Sequence, residues 1–269
     1  KVFLNIIEKS FNKLKIFVCC NSENTDFHFF REQYVSLGVI FLLKIFNQNI
    51  RFIGHSPDPH FILNNIRIKF SSFVLDACTN MPFIYFKKNK KKIIFPDLGM
   101  IEEDFTSPKK KRDIDILFIG RVKGFKQRKT YLDHLDKNFK LQKYGIDFNN
   151  FVSNTKFNDL YKRSKIVINF AENKKNDDVI YQHRVLGRVF DSITFGCLLI
   201  DTKYWQIETY YKSNSSYVSY NSKKNLVNKV RYFLKNEKKR VKIVDEAQKY
   251  SKNKYICRII WNNIFQELN

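Results

Sequence analysis

The chain has 269 residues, enough to bury one large α/β core or two modest ones, and its 43% hydrophobic and 28% charged make-up excludes a disordered chain. Its formal charge of +23 points to acidic partners, although lysines scattered over solvated faces give the same sum. Five cysteines show neither CxxC spacing nor a disulfide framework, so a reducing, cytoplasmic setting is expected, and no signal-peptide pattern precedes the first strand.

In chain order, KIFVCCNS (Lys15–Ser22) reads as a short apolar strand closed by polar residues. The next stretch places Phe27, Phe30, Tyr34 and Leu37 at helical spacing. Its apolar run, Val35 to Phe46, contains Lys44 and is too short to span a bilayer. IRFIGHSPDPH, from Ile50, is a strand entering a Pro-rich loop, and FSSFVLDAC and KKIIFPDLGM are hydrophobic bursts closed by turn residues. Glu102–Asp113 is charged, contains Pro108 and carries almost no apolar side chains, which predicts a connector between domains.

Beyond it the order becomes regular. IDILFIGR (Ile114–Arg121) reads as a buried strand, Gln127–Phe139 as a helix, Phe157–Ser164 as a short helix and Lys165–Asn173 as a strand. Gly187–Phe195 is a helix, Cys197–Thr202 and Ser215–Tyr220 are strands, and amphipathic helices run from about Lys223 to the end. Alternation of this kind predicts an α/β fold with parallel, right-handed, doubly wound sheets. Ligands of such sheets lie beyond the carboxyl ends of the strands, which directs attention to Gly120–Arg128, Phe170–Arg184 and Asp201–Trp205.

The helix GRVFDSITF carries the densest chemistry. Leu186, Val189, Phe190 and Ile193 make one apolar stripe, while Arg184, Arg188 and Asp191 fall on the opposite side, and Gly196 stands where a C′ glycine ends a helix. On a surface helix that polar side is a solvated face with a weak Arg188–Asp191 pair. Here the helix follows a strand and a polar loop, so its N-terminus faces the crevice, where free N–H groups and arginine forks suit phosphate. A carboxylate beside them suits a ribose diol, and the two together describe a nucleoside-diphosphate site. Gly120 and Arg121, at the end of ILFIG, and Lys126 and Arg128, beside the next helix start, are further phosphate candidates.

The pattern R-x-F-[DE]-x-x-x-x-G before an apolar strand (Arg188 to Gly196) resembles the nucleotide-binding half of GT-B glycosyltransferases, nearest to the group 1 enzymes and their CgeB-like, spore-maturation type relatives. DILFIGR with the basic helix start after it, IIFPDLGMIEEDF and HSPDPHF extend the likeness over roughly Ile50 to Leu234. The resemblance implies two Rossmann-like domains with parallel sheets, the N-terminal one short: an acceptor-side domain over 1–110, a donor domain over 111–252, and a C-terminal helix over 253–269 packing back on the first. It implies that Asp191 holds the donor's ribose and Arg188 its diphosphate. Group 1 enzymes usually have Glu eight residues before the ribose carboxylate. That position is His183 here, so His183 and Arg184 enter as donor-side candidates. For an inverting transfer Asp58, between two prolines, is the expected base, with His60 or His55 beside it.

The implied activity is transfer of a sugar from a nucleotide sugar to a glycan, a lipid-linked molecule or another hydroxyl, with no metal and no cofactor beyond the donor. Exostosin-like and fucosyltransferase-like enzymes share the same order of elements. A basic, non-catalytic α/β protein on nucleic acid or an anionic membrane is the competing class. Nucleic acid is the less expected partner, since KKNKKK and KKKR lack interleaved aromatics; peripheral membrane contact stays open.

Overall fold

In the computed structural model the described residues are four strands of the first 98 residues, then residues 99–171, 185 and 187–268. The chain divides into two compact units, Lys1–Asp97 and Leu98–Asn269. The first contains β1 (Ile16–Cys20), β2 (Arg51–Ser56), β3 (Phe73–Asp76) and β4 (Ile93–Ile94), hydrogen-bonded in that order and all parallel. Each sits inside a hydrophobic burst of the sequence. The helix read between Phe27 and Phe46 lies outside the described residues.

The second unit is built on β5 (Ile114–Ile119), β6 (Leu141–Tyr144), β7 (Ser164–Ile168), β8 (Leu198–Thr202) and β9 (Val218–Tyr220). All pairings are parallel and the spatial order is β6-β5-β7-β8-β9. The helices are α1 (Lys126–Asp136), α2 (Asn154–Arg163), α3 (Gly187–Thr194), α4 (Trp205–Tyr210), α5 (Lys223–Lys235), α6 (Glu237–Lys254) and α7 (Cys257–Leu268).

Period-2 alternation sorts the strand residues between two apolar layers. Ile116, Phe118, Ile166, Ile168, Leu198 and Ile200 meet Leu132 and Leu135 of α1 and Val230 of α5. On the other face Leu117 and Val167 pack on Leu160 and Tyr161 of α2, and Leu199 on Val189, Phe190 and Ile193 of α3. With both faces covered, the strands are near-continuous apolar runs, which is why they were legible. The strand order steps from β6 back across β5 to β7, so the topological switch falls between β5 and β7.

Two elements escape the sequence reading and one expectation needs correction. A strand at Leu141–Tyr144 was not foreseen: it lies at the sheet's edge, and only Leu141 of its four residues is buried, leaving little apolar signal. The short helix Trp205–Tyr210 was also not read. Glu102–Asp113, taken for a connector, is bound into the second unit. Thr106 N donates to Thr194 O at 2.9 Å, and Gln248 Nε2 of α6 donates to Thr106 O at 2.9 Å and Ile193 O at 2.8 Å. Within the same unit Met100 bridges to Ile256, just before α7. Arg112, last of the KKKR run, is 7% exposed.

Candidate functional site

The site is built at the carboxyl edge of the second sheet, where β5, β7 and β8 end side by side. Helix α3 reaches this edge. The sequence expected its apolar stripe to dock, and Val189, Phe190 and Ile193 are buried. Its end matches expectation too: Gly196 takes φ 74°, Cys197 N bonds back to Ser192 O at 2.8 Å and Gly196 N to Ile193 O at 3.0 Å. That is a Schellman close, and a Cβ at Gly196 would lie 2.3 Å from Thr106 O.

The polar side of α3 is not a solvated face, because no residue from Gly187 to Thr194 is exposed. Arg188 turns inward, and its Nη1 donates to Ile119 O, the last carbonyl of β5, at 2.7 Å. The guanidinium lies 5.9 Å from the Phe118 ring. It also fills the space over Gly120, where a Cβ would meet Nη1 at 2.4 Å. Any side chain at 120 would displace it. Burial pulls the Arg188 guanidinium below its ordinary value, partly offset by Tyr161, Asp201 and Asp191. The bond to Ile119 O is its one hydrogen bond among the described residues. A guanidinium has five N–H donors, so Arg188 brings surplus donors to the switch point.

Asp191, one turn along α3, is half-buried and within electrostatic reach of Arg188 and of Tyr161 on α2. Below the edge, Asp201 at the end of β8 and Asn169 just past β7 are both fully buried. Asn169 Nδ2 donates to Asp201 Oδ2 at 2.6 Å, and Thr202 N to Asp201 Oδ1 at 2.7 Å. Burial pushes the Asp201 carboxyl up to about 6, against the pull of these bonds and of Arg188. Sequence reading bracketed Asp201 but did not select either residue. A polar residue closing an apolar strand was the available signal.

The turn after β5 is held from three sides. Gly120 N donates to Tyr144 O at 2.9 Å, Arg128 Nη1 to Arg121 O at 2.7 Å, and Val122 N and Lys123 N to Asp147 Oδ2 at 2.5 and 2.9 Å. These last two bonds hold the Asp147 carboxyl below its usual range. Two backbone donors that a phosphate could use are thus taken by an internal carboxylate, a feature sequence reading did not find. Arg128, a phosphate candidate, is 3% exposed; its Nη2 reaches Phe170 O at 3.2 Å and its guanidinium stacks 3.9 Å from the Phe125 ring. Arg121 is exposed at the rim, and Lys126 opens α1.

The structure therefore brings together Gly120, Arg121, Arg128, Arg188 and Asp191 from the predicted set. Asp58, His60, His183 and Arg184 lie outside the described residues, as does the Lys126 side chain. Among the described residues there is no group of three or more His, Cys, Asp or Glu placed to hold a metal ion. No described helix is long and apolar enough to cross a membrane.

No curated protein matches the chain. Among solved structures, it is similar to Anabaena HepE in complex with UDP and glucose, at 11% identity and a TM-score of 0.61, over 87% of this chain and 76% of that one. It is similar to the pneumococcal O-GlcNAc transferase GtfA in complex with UDP and GlcNAc, at 9% identity and a TM-score of 0.59, over 99% of this chain and 59% of that one. A glycosyltransferase from Rickettsia africae aligns at 13% identity and a TM-score of 0.57, over 81% of this chain and 70% of that one. These likenesses identify the fold as GT-B, α/β with parallel sheets. The glycosyl transferase-like family matches residues 104–266, more than half of the sequence and the whole of the edge just described, and the chain belongs to that family.

Proposed function

We propose that the protein transfers a sugar from a nucleotide-diphosphate donor to a hydroxyl acceptor. The observation that carries this reading is Arg188: a guanidinium drawn into the sheet's switch point, bonded once among the described residues, with donors left there for an anion. Family membership and neighbours solved with UDP and a sugar support it. Arg188, Arg121 at the rim and the further basic residues Lys126 and Arg184 meet the diphosphate and the negative charge that develops as it departs, an electrostatic role that needs no metal. Asp191 accepts from the ribose diol, and His183, eight residues before it in sequence, is assigned to the donor's sugar. Gly120 keeps space for the guanidinium, and Arg128 holds the turn beside it.

On the acceptor side Asp58 takes the hydroxyl proton while the acceptor oxygen bonds the anomeric carbon and the sugar–diphosphate bond breaks; His60 orients the acceptor. The acceptor is a glycan or a lipid-linked molecule, met in the cytoplasm at an anionic membrane surface that the chain's positive charge favours. The finer kinship we favour is with the group 1 and CgeB-like enzymes.

The test is a donor-hydrolysis and transfer screen over UDP-, GDP-, dTDP- and ADP-sugars, repeated with Arg188→Ala and Asp191→Ala. Both variants should fold and lose donor binding. A folded variant that binds like the parent would show the pocket to be wrongly assigned.

A further inference from the structure

Asn169 and Asp201 sit beneath the edge that Arg188 occupies, at the ends of adjacent strands. Asn169 is locked by its backbone, N donating to Ile200 O at 3.0 Å. Its amide nitrogen serves Asp201 Oδ2, which the Tyr204 hydroxyl also approaches at 3.4 Å, while Thr202 N and Oγ1 serve Oδ1 at 2.7 and 3.4 Å. The amide oxygen, Asn169 Oδ1, is buried and has no partner among the described residues. An unmet acceptor beside a buried acid is unusual, because such an atom normally finds a donor.

Chemistry supplies a donor in one circumstance. When Asp201 carries a proton, its O–H donates, and a half-turn of the Asn169 amide brings Oδ1 to receive it. When Asp201 is ionised, Nδ2 faces it instead. One seat accommodates both forms without backbone movement. The forms differ by one negative charge. Among the described residues the charged or titratable groups that feel that charge are Arg188 from α3, Tyr204 at the head of α4 and Tyr217 before β9, and Arg188 is the cation among them.

We propose that Asp201, seated on Asn169, is a positioning residue for Arg188, and that its charge state sets how strongly this edge holds a diphosphate. The proposal rests on the donor-site reading above. Ionised, Asp201 shares the guanidinium's field with the ligand; protonated, it leaves that field to the ligand alone. By linkage, a bound diphosphate makes Asp201 harder to ionise, so donor binding takes up protons. Because burial pushes Asp201 up to about 6, the effect belongs to mildly acid and neutral pH.

The test is calorimetric titration with UDP-glucose, GDP-mannose, dTDP-glucose and ADP-glucose, whose diphosphates have no ionisation in this range. It is run at pH 5.5, 6.5 and 8 in buffers of differing ionisation enthalpy. The best-bound donor should bind about three- to tenfold tighter at pH 5.5 than at pH 8, the size of a screened charge several ångströms away, with proton uptake near pH 6.5. Asp201→Asn should hold the low-pH affinity throughout and lose most of the uptake. Asn169→Ala, which strips the carboxylate of its amide donor, should move the midpoint to higher pH, a shift that a merely structural role would not give. Binding in which Asp201→Asn keeps the full pH dependence would overturn the proposal alone. Absence of binding by any of the four sugars at every pH would overturn the donor-site reading and this one with it.

Discussion

Arg112, buried, and Arg188, half-buried, stand at opposite ends of the same sheet, and they use their donors differently. At the amino edge Arg112 spends its guanidinium on the protein: Nη1 donates to Tyr161 O and Ser164 O at 3.2 and 2.7 Å, Nη2 to Ser107 O and Phe195 O at 3.2 and 2.8 Å. It ties the starts of β5, β7 and β8 to one cation. At the carboxyl edge Arg188 gives one bond to Ile119 O among the described residues. A guanidinium whose two terminal nitrogens are both engaged by carbonyls is a fastener, whereas one with terminal donors left over suits the ligand proposed above. On the donor-site proposal, that contrast separates framework from site.

The comparison breaks most visibly at its structural end. Arg112→Ala takes a donor from four carbonyls. Ser107 O is near solvent and Tyr161 O keeps Ser164 N and the Cys197 thiol, but Ser164 O and Phe195 O lose a bond in the buried interior. With the lost packing, stability should fall by about 4 kcal/mol and the protein should lose its cooperative denaturant transition. A transition like the parent's would show the hub to be dispensable.

Next in size is Asp201→Asn, read as stability against pH. Between about pH 4 and 6 the unfolded chain gives up the Asp201 proton while the folded chain keeps it. Stability therefore falls as pH rises from the ordinary 3.8 towards about 6 and stays lost above. The variant escapes that cost, so it should be more stable than the parent at pH 8, by up to roughly 3 kcal/mol for a shift of about two units, and equal near pH 4. A constant difference at all pH values would contradict the buried charge.

Gly196→Ala should cost about 2 kcal/mol, since φ 74° and Thr106 O at 2.3 Å both oppose a Cβ; thermal melts read it, with donor binding retained in the folded fraction. Gly120→Ala should touch both readouts. The melt should fall by about a degree or more, because φ 158° strains an alanine, and donor affinity should drop about tenfold, because the methyl takes the place of Arg188 Nη1.

Much of this was legible in the sequence where burial is two-sided. Apolar runs such as ILFI and LLI leave a strong mark, and the stripe Val189, Phe190, Ile193 with Gly196 defined α3 and its end. The edge strand LQKY was not legible, because a strand half-open to solvent is spelled like a loop. Nor was the distinction between arginines. Arg112 stands in a lysine run that reads as solvated, and its partners lie up to 85 residues away. Asp147 closing on the Val122 and Lys123 amides, and Asn169 facing Asp201, are likewise contacts between distant segments, with no local periodicity to announce them. Local pattern specifies elements; which polar side chain spends its hydrogen bonds inside is decided by topology.

The most direct measurement is titration of the best-bound nucleotide sugar into the parent and Arg188→Ala, with thermal melts of both. The account expects melting temperatures within a few degrees and donor affinity weakened about a hundredfold, the loss of a charge-assisted contact in a desolvated site. An Arg188→Ala protein that stays folded and binds the donor as tightly as the parent would contradict it.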